Sequence, residues 1–144
     1  MPEEPLIQEM NTDAEILSAF ATLHELRPHL QEAEFLATVR RMQETDGYRL
    51  AAVIEGDTRP CVAGFRFGEN LARGKYLYVD DLVTADVARS KGHGKAMLSW
   101  LAQLAKGSGC AVLLLDSGVQ RFAAHRFYLR ERFDIVCHHF MRTL

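Results

Sequence analysis

The spacing of apolar positions changes character several times along this 144-residue chain. Ile16, Leu17, Phe20, Leu23 and Leu26 recur every three or four residues, which predicts a helix, and Asn11, Thr12 and Asp13 ahead of them are good caps. Pro28 ends it, because the residue before a proline is driven out of the helical region. Phe35, Leu36, Val39 and Met42 predict a second helix from Gln31 to about Glu44, stopping before Asp46-Gly47. From there the period shortens. Leu6 to Met10 reads as a short first strand, Tyr48 to Ile54 and Cys61 to Phe67 as partners around a turn at Glu55-Gly56-Asp57, and Lys75 to Thr84 as a further strand. Helical spacing returns from Gly92 to Lys106, with Met97, Trp100, Leu101 and Leu104 as the inner stripe and Gly107 and Gly109 closing it. Cys110 to Leu115 is a continuous apolar run, as in a strand buried on both faces. Val119 to Arg130 reads as a last helix and Ile135 to Met141 as a last strand. Residues 75–115 are therefore a strand–helix–strand crossover, and the class is mixed α/β (α+β).

Composition narrows the partners. With 48% hydrophobic and 25% charged residues and no repeat or linker, the chain reads as one globular domain over residues 1–144. No apolar run approaches the roughly 20 residues of a membrane span. The start, Met1-Pro-Glu-Glu-Pro5, is acidic where a secretory leader is basic and then apolar. Cys61, Cys110 and Cys137 are odd in number and lack C-x-x-C spacing, which argues against a disulfide framework or a zinc site. The expectation is a cytoplasmic protein with no metal and no membrane partner. Net charge is −2, but residues 1–72 hold 6 Lys/Arg against 13 Asp/Glu, whereas residues 73–144 hold 11 against 6. An acidic half suits a cationic ligand and a basic half an anionic one. The absence of net positive charge argues against nucleic acid.

The richest stretch is Leu82-Val83-Thr84-Ala85-Asp86-Val87-Ala88-Arg89-Ser90-Lys91-Gly92-His93-Gly94-Lys95, a strand's end running through a glycine-containing loop into a helix. Helix N-termini carry unpaired N–H groups and partial positive charge, so phosphate binds there. Gly92 and Gly94 allow close backbone approach, and Arg89, Lys91 and Lys95 add charge. A P-loop is excluded, because Ala96 follows Gly94-Lys95 and Lys91 stands four residues before Lys95. The dinucleotide fingerprint fails at Met97, which replaces its third glycine, although Asp116 at a strand end keeps a nicotinamide dinucleotide as an alternative ligand.

Arg89-x-x-Gly92-x-Gly94 after a hydrophobic strand resembles the [RQ]-x-x-G-x-[GA] signature of the GNAT superfamily of N-acetyltransferases. Ala124-x-x-Phe127-Tyr128-x-x-x-x-Phe133 resembles a second segment of that family, A-x-x-F-Y-x-x-x-G-F. The two motifs stand in order and in matching structural context. The resemblance implies a curved, largely antiparallel sheet with a central parallel pair and helices on both faces. It also implies an enzyme that transfers an acetyl group from acetyl-CoA to a primary amine by direct attack in a ternary complex. Backbone groups of Arg89, Ser90, Lys91, Gly92, His93, Gly94 and Lys95 would hold the CoA pyrophosphate. Those of Leu82, Val83 and Thr84 would hold pantetheine and the thioester carbonyl, a contact that also stabilises the developing oxyanion. Dimerisation is common in the family, so a homodimer is one expectation.

An alkylamine with a pKa near 10.4 must lose a proton before it attacks. Asp80 and Asp81 sit just before that strand end, and strict alternation puts them on opposite faces. Tyr78-Val-Asp-Asp-Leu-Val83 resembles the spermidine/spermine N-acetyltransferase pattern, in which the residue matching Asp80 is the base. Asp80 is therefore the first candidate, with Asp81 or water as alternatives. Tyr128 matches the family's usual proton donor to the leaving thiolate. Two positions depart from the family: Arg132 stands where it has glycine, and Arg121 where it often has asparagine. They keep open a second reading, a catalytically silent domain that senses acyl-CoA. Glu25, Glu32 and Glu34, near a helix–helix loop that covers the acceptor site in this family, favour a small cationic amine as acceptor, with a protein amine or an amino acid as alternatives. His24 and His29 flank that loop, His125 lies a turn from Arg121, and the adjacent His138 and His139 point to opposite faces of a strand.

Overall fold

The computed structural model describes residues 4–144, so the first part of the acidic start, Met1 to Glu3, lies outside the described residues. Thr12 caps α1 (Asp13–Ser18) in a reciprocal arrangement: its hydroxyl accepts from the Glu15 N–H at 3.1 Å, and the Glu15 carboxylate accepts from the Thr12 N–H at 2.8 Å. A break at Ala19 separates α1 from α2 (Phe20–Leu26), where the sequence predicts one helix. After the Pro28 turn, α3 (Glu32–Asp46) runs to Gly47. The strands are β1 (Ile7–Glu9), β2 (Arg49–Val53), β3 (Cys61–Asn70), β4 (Gly74–Thr84) and β5 (Val112–Leu115). A 3₁₀ turn (Asp86–Ala88) and α4 (His93–Gly107) carry the chain from β4 to β5.

The sheet order is β1-β2-β3-β4-β5. Its first three pairings are antiparallel, and β4 with β5 makes one parallel pair. That pair stands at the end of the order rather than at its centre, because no strand is assigned after β5 among the described residues. The β3–β4 ladder is longer than predicted. Gly68 pairs with Tyr76, Glu69 with Lys75 and Asn70 with Gly74, so the polar tail of β3 continues beyond Phe67.

Helices cover both faces of this sheet. Leu50, Ala52 and Val62 form a buried core with Met10, Ile16, Ala19, Leu23, Phe35 and Val39, which belong to α1–α3 and their flanks. On the opposite face Phe65 meets Trp100 of α4 edge-on, ring centroids 6.2 Å apart. Met97, Leu98 and Leu101 are the buried stripe of α4, with Trp100 only partly buried.

The chain divides into two compact units, one up to Leu114 and the other Leu115–Leu144. The second contains α5 (Phe122–Arg130), which begins three residues later than the predicted Val119. The strand predicted over Ile135–Met141 is absent from the assigned elements of the described residues. A strand is stable only against a partner edge, and α5 is the one complete element assigned in that unit among the described residues. No helix of the described residues is long and apolar enough to cross a membrane.

Candidate active site

The β3–β4 pairing contains one irregularity, and it falls at the two candidate acids. Gly64 pairs with Asp81 but Phe65 pairs with Val79, so β4 carries one extra residue, Asp80, opposite the Gly64–Phe65 step. Such a bulge cancels the alternation of side chains across it. A Cβ on Gly64 would meet the Tyr48 hydroxyl and lie 2.8 Å from an Asp81 carboxylate oxygen, which puts Asp81 on the face of Gly64. Arg66, two residues along the uninterrupted β3, shares that face and holds Asp80. Both carboxylates therefore lie on the α1–α3 side of the sheet, and the expectation of opposite faces is corrected.

Each acid is fully engaged. Arg66 donates from Nε and Nη2 to the two Asp80 oxygens at 2.8 and 2.9 Å. Its guanidinium also lies 5.6 Å from the Tyr78 ring centroid. Arg27, at the end of α2, donates from Nε to Asp81 Oδ1 and from Nη2 to the Asp80 carbonyl, both at 3.0 Å. Tyr48 donates its hydroxyl proton to Asp81 Oδ2 at 2.7 Å. Burial pushes the Asp80 carboxyl up from its ordinary range, against the opposing pull of Arg66. Burial and the adjacent Asp81 push the Tyr48 phenol well above its usual value, so Tyr48 acts as a donor and not as a phenolate. Arg27, Tyr48 and Arg66 were not singled out by sequence reasoning, because only the register brings them to the acids.

The start of α4 is arranged in the opposite way. Gly92 is its N-cap, at φ 82°, and provides no side-chain cap. The first intrahelical bond runs from the Ala96 N–H to the Gly92 carbonyl at 3.0 Å. The amides of His93, Gly94 and Lys95 thus precede the helix's own ladder and are available to an anion. Ser90 is held at φ 66°, a left-handed conformation that costs a non-glycine residue roughly 1–2 kcal/mol. Strain of this kind collects at ligand-binding loops. Arg89, paired with Asp86 at 2.7 Å, and Lys91 and Lys95 are exposed around the turn. The His93 side chain instead turns inward. It is 5% exposed, neither ring nitrogen has a hydrogen-bond partner, and Glu55 Oε1 lies 3.7 Å away. Its contribution to an anion is its backbone amide. The residues present fit a pyrophosphate.

Leu82, Val83 and Thr84 are paired on one edge with Ala63, Val62 and Cys61. On the other edge the chain into β5 joins β4 far back, where the Ala111 N–H meets the Lys75 carbonyl at 2.9 Å. The four-residue β5 accompanies the first half of β4, so the outer edge of 82–84 extends past it. Cys61 offers no nucleophile, since burial pushes its thiol up to about 11.

In the C-terminal unit Tyr128 is buried on α5, its ring 5.4 Å from Phe127 and 5.7 Å from Phe133. The helix ends in a Schellman motif: the Phe133 N–H reaches the Tyr128 carbonyl at 3.0 Å and the Arg132 N–H the Leu129 carbonyl at 3.1 Å. The spacing of the motif tyrosine, glycine position and phenylalanine is the spacing of this cap. Arg132 occupies the glycine position and adopts φ 69° nonetheless. His125 Nε2 bonds the Gly118 carbonyl at 2.7 Å and His139 Nδ1 meets Asp116 at 2.6 Å, so both serve their own unit. His24 and His29 are exposed, and among the described residues no group of His, Cys, Asp or Glu is gathered as a metal site requires.

A sequence model of the Acetyltransferase (GNAT) family matches residues 12–133. The chain belongs to the GNAT family. One curated relative, the uncharacterized N-acetyltransferase YhdJ of Bacillus subtilis (strain 168), is 30% identical over 122 residues, covering 85% of this GNAT chain and 86% of the relative. Among solved structures, a transcriptional regulator from Bacillus halodurans C-125 superposes with a TM-score of 0.85 at 19% identity, covering 97% of this chain and 99% of that one. AAC(6')-Iy, solved in complex with a bisubstrate analog, CoA-S-monomethyl-acetylneamine, reaches a TM-score of 0.83 at 13% identity over 99% of each chain. These two likenesses establish the GNAT fold. The expected family, fold and general acyltransferase character are thereby borne out.

Proposed function

We propose that this GNAT protein transfers the acetyl group of acetyl-CoA to the primary amine of a small acceptor that is cationic in solution, by direct attack with both substrates bound. The observation that carries this reading is the uncapped first turn of α4, with its open amides, its strained Ser90 and its basic rim. Residues 89–95 hold the CoA pyrophosphate there, and the outer edge of Leu82–Thr84 takes pantetheine. The family match spans 12–133 and so runs through both compact units, which supports reading residues 1–144 as one domain.

Acetyl-CoA supplies the thioester. Asp80 accepts the proton that the acceptor's ammonium must lose before its nitrogen bonds the carbonyl carbon. A backbone amide of 82–84 receives the carbonyl oxygen as charge builds on it. Tyr128 gives its proton to the sulfur as the carbon–sulfur bond breaks, the second proton, shed by the newly acylated nitrogen, restores the phenol through solvent, and Asp80 releases the first to solvent. The products are an N-acetyl amine and CoA thiol.

The test is thiol release from acetyl-CoA with a panel of primary amines. Stoichiometric free thiol and acetylated amine are expected, with Tyr128→Phe lowering turnover by about 10²-fold while acetyl-CoA binding stays unchanged. Tight CoA binding without thiol release for any amine identifies a sensor. Undiminished turnover in Tyr128→Phe removes Tyr128 from the reaction.

A further inference from the structure

The charge on the Asp80–Asp81 face does not suit a simple cation. Asp80 has both oxygens engaged by Arg66, and Asp81 has one engaged by Arg27 and the other by Tyr48. Two guanidiniums stand against two carboxylates, so a protonated amine arriving here meets no uncompensated negative charge. Glu25, counted among the acids that would draw a cation, accepts instead from the Asp86 N–H at 2.9 Å.

The unused hydrogen-bonding capacity belongs to the arginines. Arg27 employs Nε and Nη2, and so does Arg66, which leaves the Nη1 group of each outside these bonds. Their side chains are 43% and 38% exposed. Arg27 comes from the end of α2 and Arg66 from β3, yet both converge on the single residue Asp80, one on its carbonyl and one on its carboxylate. Tyr48 holds the second oxygen of Asp81, and Asp80 sits in the bulge, so the carboxylates that anchor both guanidiniums are themselves fixed before any ligand arrives. Planar guanidinium donors match the geometry of a carboxylate.

We propose that the acceptor is an amino acid, with its carboxylate held by Arg27 and Arg66 and its amine delivered to Asp80. This rests on the acetyl-transfer reading and sharpens its acceptor from a cationic amine to a zwitterion. An acceptor without the carboxylate leaves the Nη1 groups of both arginines without the partner they are set to receive, and sites built to bond a group discriminate against analogues that lack it. Arg27 and Arg66 are then specificity-determining residues.

The experiment is thiol release with wild-type protein and matched substrates: amino acids, each beside its amide and its decarboxylated amine. The amino acids are expected to exceed their amines in kcat/KM by about tenfold or more. Arg27→Gln and Arg66→Lys are expected to reduce that ratio toward one. A purely structural role would lower both members of a pair alike and leave the ratio unmoved, which would overturn the assignment. Amines used as well as or better than amino acids by the wild type overturn the amino-acid proposal and leave acetyl transfer standing. No thiol release from any member, with CoA still bound, overturns the acetyl-transfer reading itself.

Discussion

The acid face of β3–β4 and the opening turn of α4 meet their electrostatic needs in opposite ways. On the acid face every carboxylate oxygen already has a guanidinium or phenol partner. At the α4 turn the backbone donors have no side-chain cap, and Ser90 is held in a strained conformation. A region closed on itself fixes geometry before a ligand arrives, and a region left open takes its missing partner from the ligand. In the proposed reaction one orients an amine and takes its proton, and the other grips an anion.

The strongest way to break this comparison is Asp80→Asn. Turnover is expected to fall by about 10²–10³-fold with CoA binding unchanged. The loss should shrink toward high pH, where the amine deprotonates unaided. In the wild type, burial raises the Asp80 carboxyl above its ordinary range, so activity should climb as pH rises through that raised value and the base ionises. The stability effect has the opposite sign: the ionised form is disfavoured in the folded state, so the contribution of Asp80 is fully present below the unfolded pKa and declines as pH rises through the folded one. A pH–rate profile and a pH series of denaturation midpoints check the two trends. If Asp80→Asn turns over normally, the base is Asp81 or water.

Gly64→Ala attacks the closed region through its packing. Its methyl group would meet the Tyr48 hydroxyl and the Asp81 carboxylate. A cost of about 2 kcal/mol is expected, measured as a shift in urea midpoint, because overpacking must push one of them aside. Unchanged stability would mean that Tyr48 and Asp81 are loosely held, contrary to the preorganisation argued above. Arg132→Gly gives the smallest effect and sharpens the strain argument: relieving φ 69° at the end of α5 should stabilise the protein by about 1 kcal/mol, read from the same denaturation curves. No gain would indicate that the arginine side chain makes a compensating contact.

How much of this was legible beforehand follows from where the information lies. The cap at Thr12, the stop at Pro28 and the stripe of α4 are local, and the helices stand where spacing put them, apart from the break at Ala19 and the later start of α5. The Arg89–Lys95 loop was legible for the same reason, since a helix N-terminus announces itself by neighbouring residues. The two acids were visible, but their shared face was not. It depends on one extra residue in β4 measured against β3, and register is a property of two strands rather than one. Arg27 and Arg66 stayed hidden behind the same bulge. Phe127-Tyr128 and Phe133 could be read as a motif, whereas the left-handed backbone at Arg132 contradicts the ordinary preference of its residue type and required the structure.

The central claim is tested most directly by calorimetric titration of the protein with CoA and, separately, with pantetheine, which has the thiol arm but no diphosphate. CoA is expected to bind about tenfold or more tightly, a difference of at least ~1.4 kcal/mol, with Gly92→Ala losing most of that advantage. Equal affinity for the two compounds, or an advantage untouched in Gly92→Ala, would contradict it.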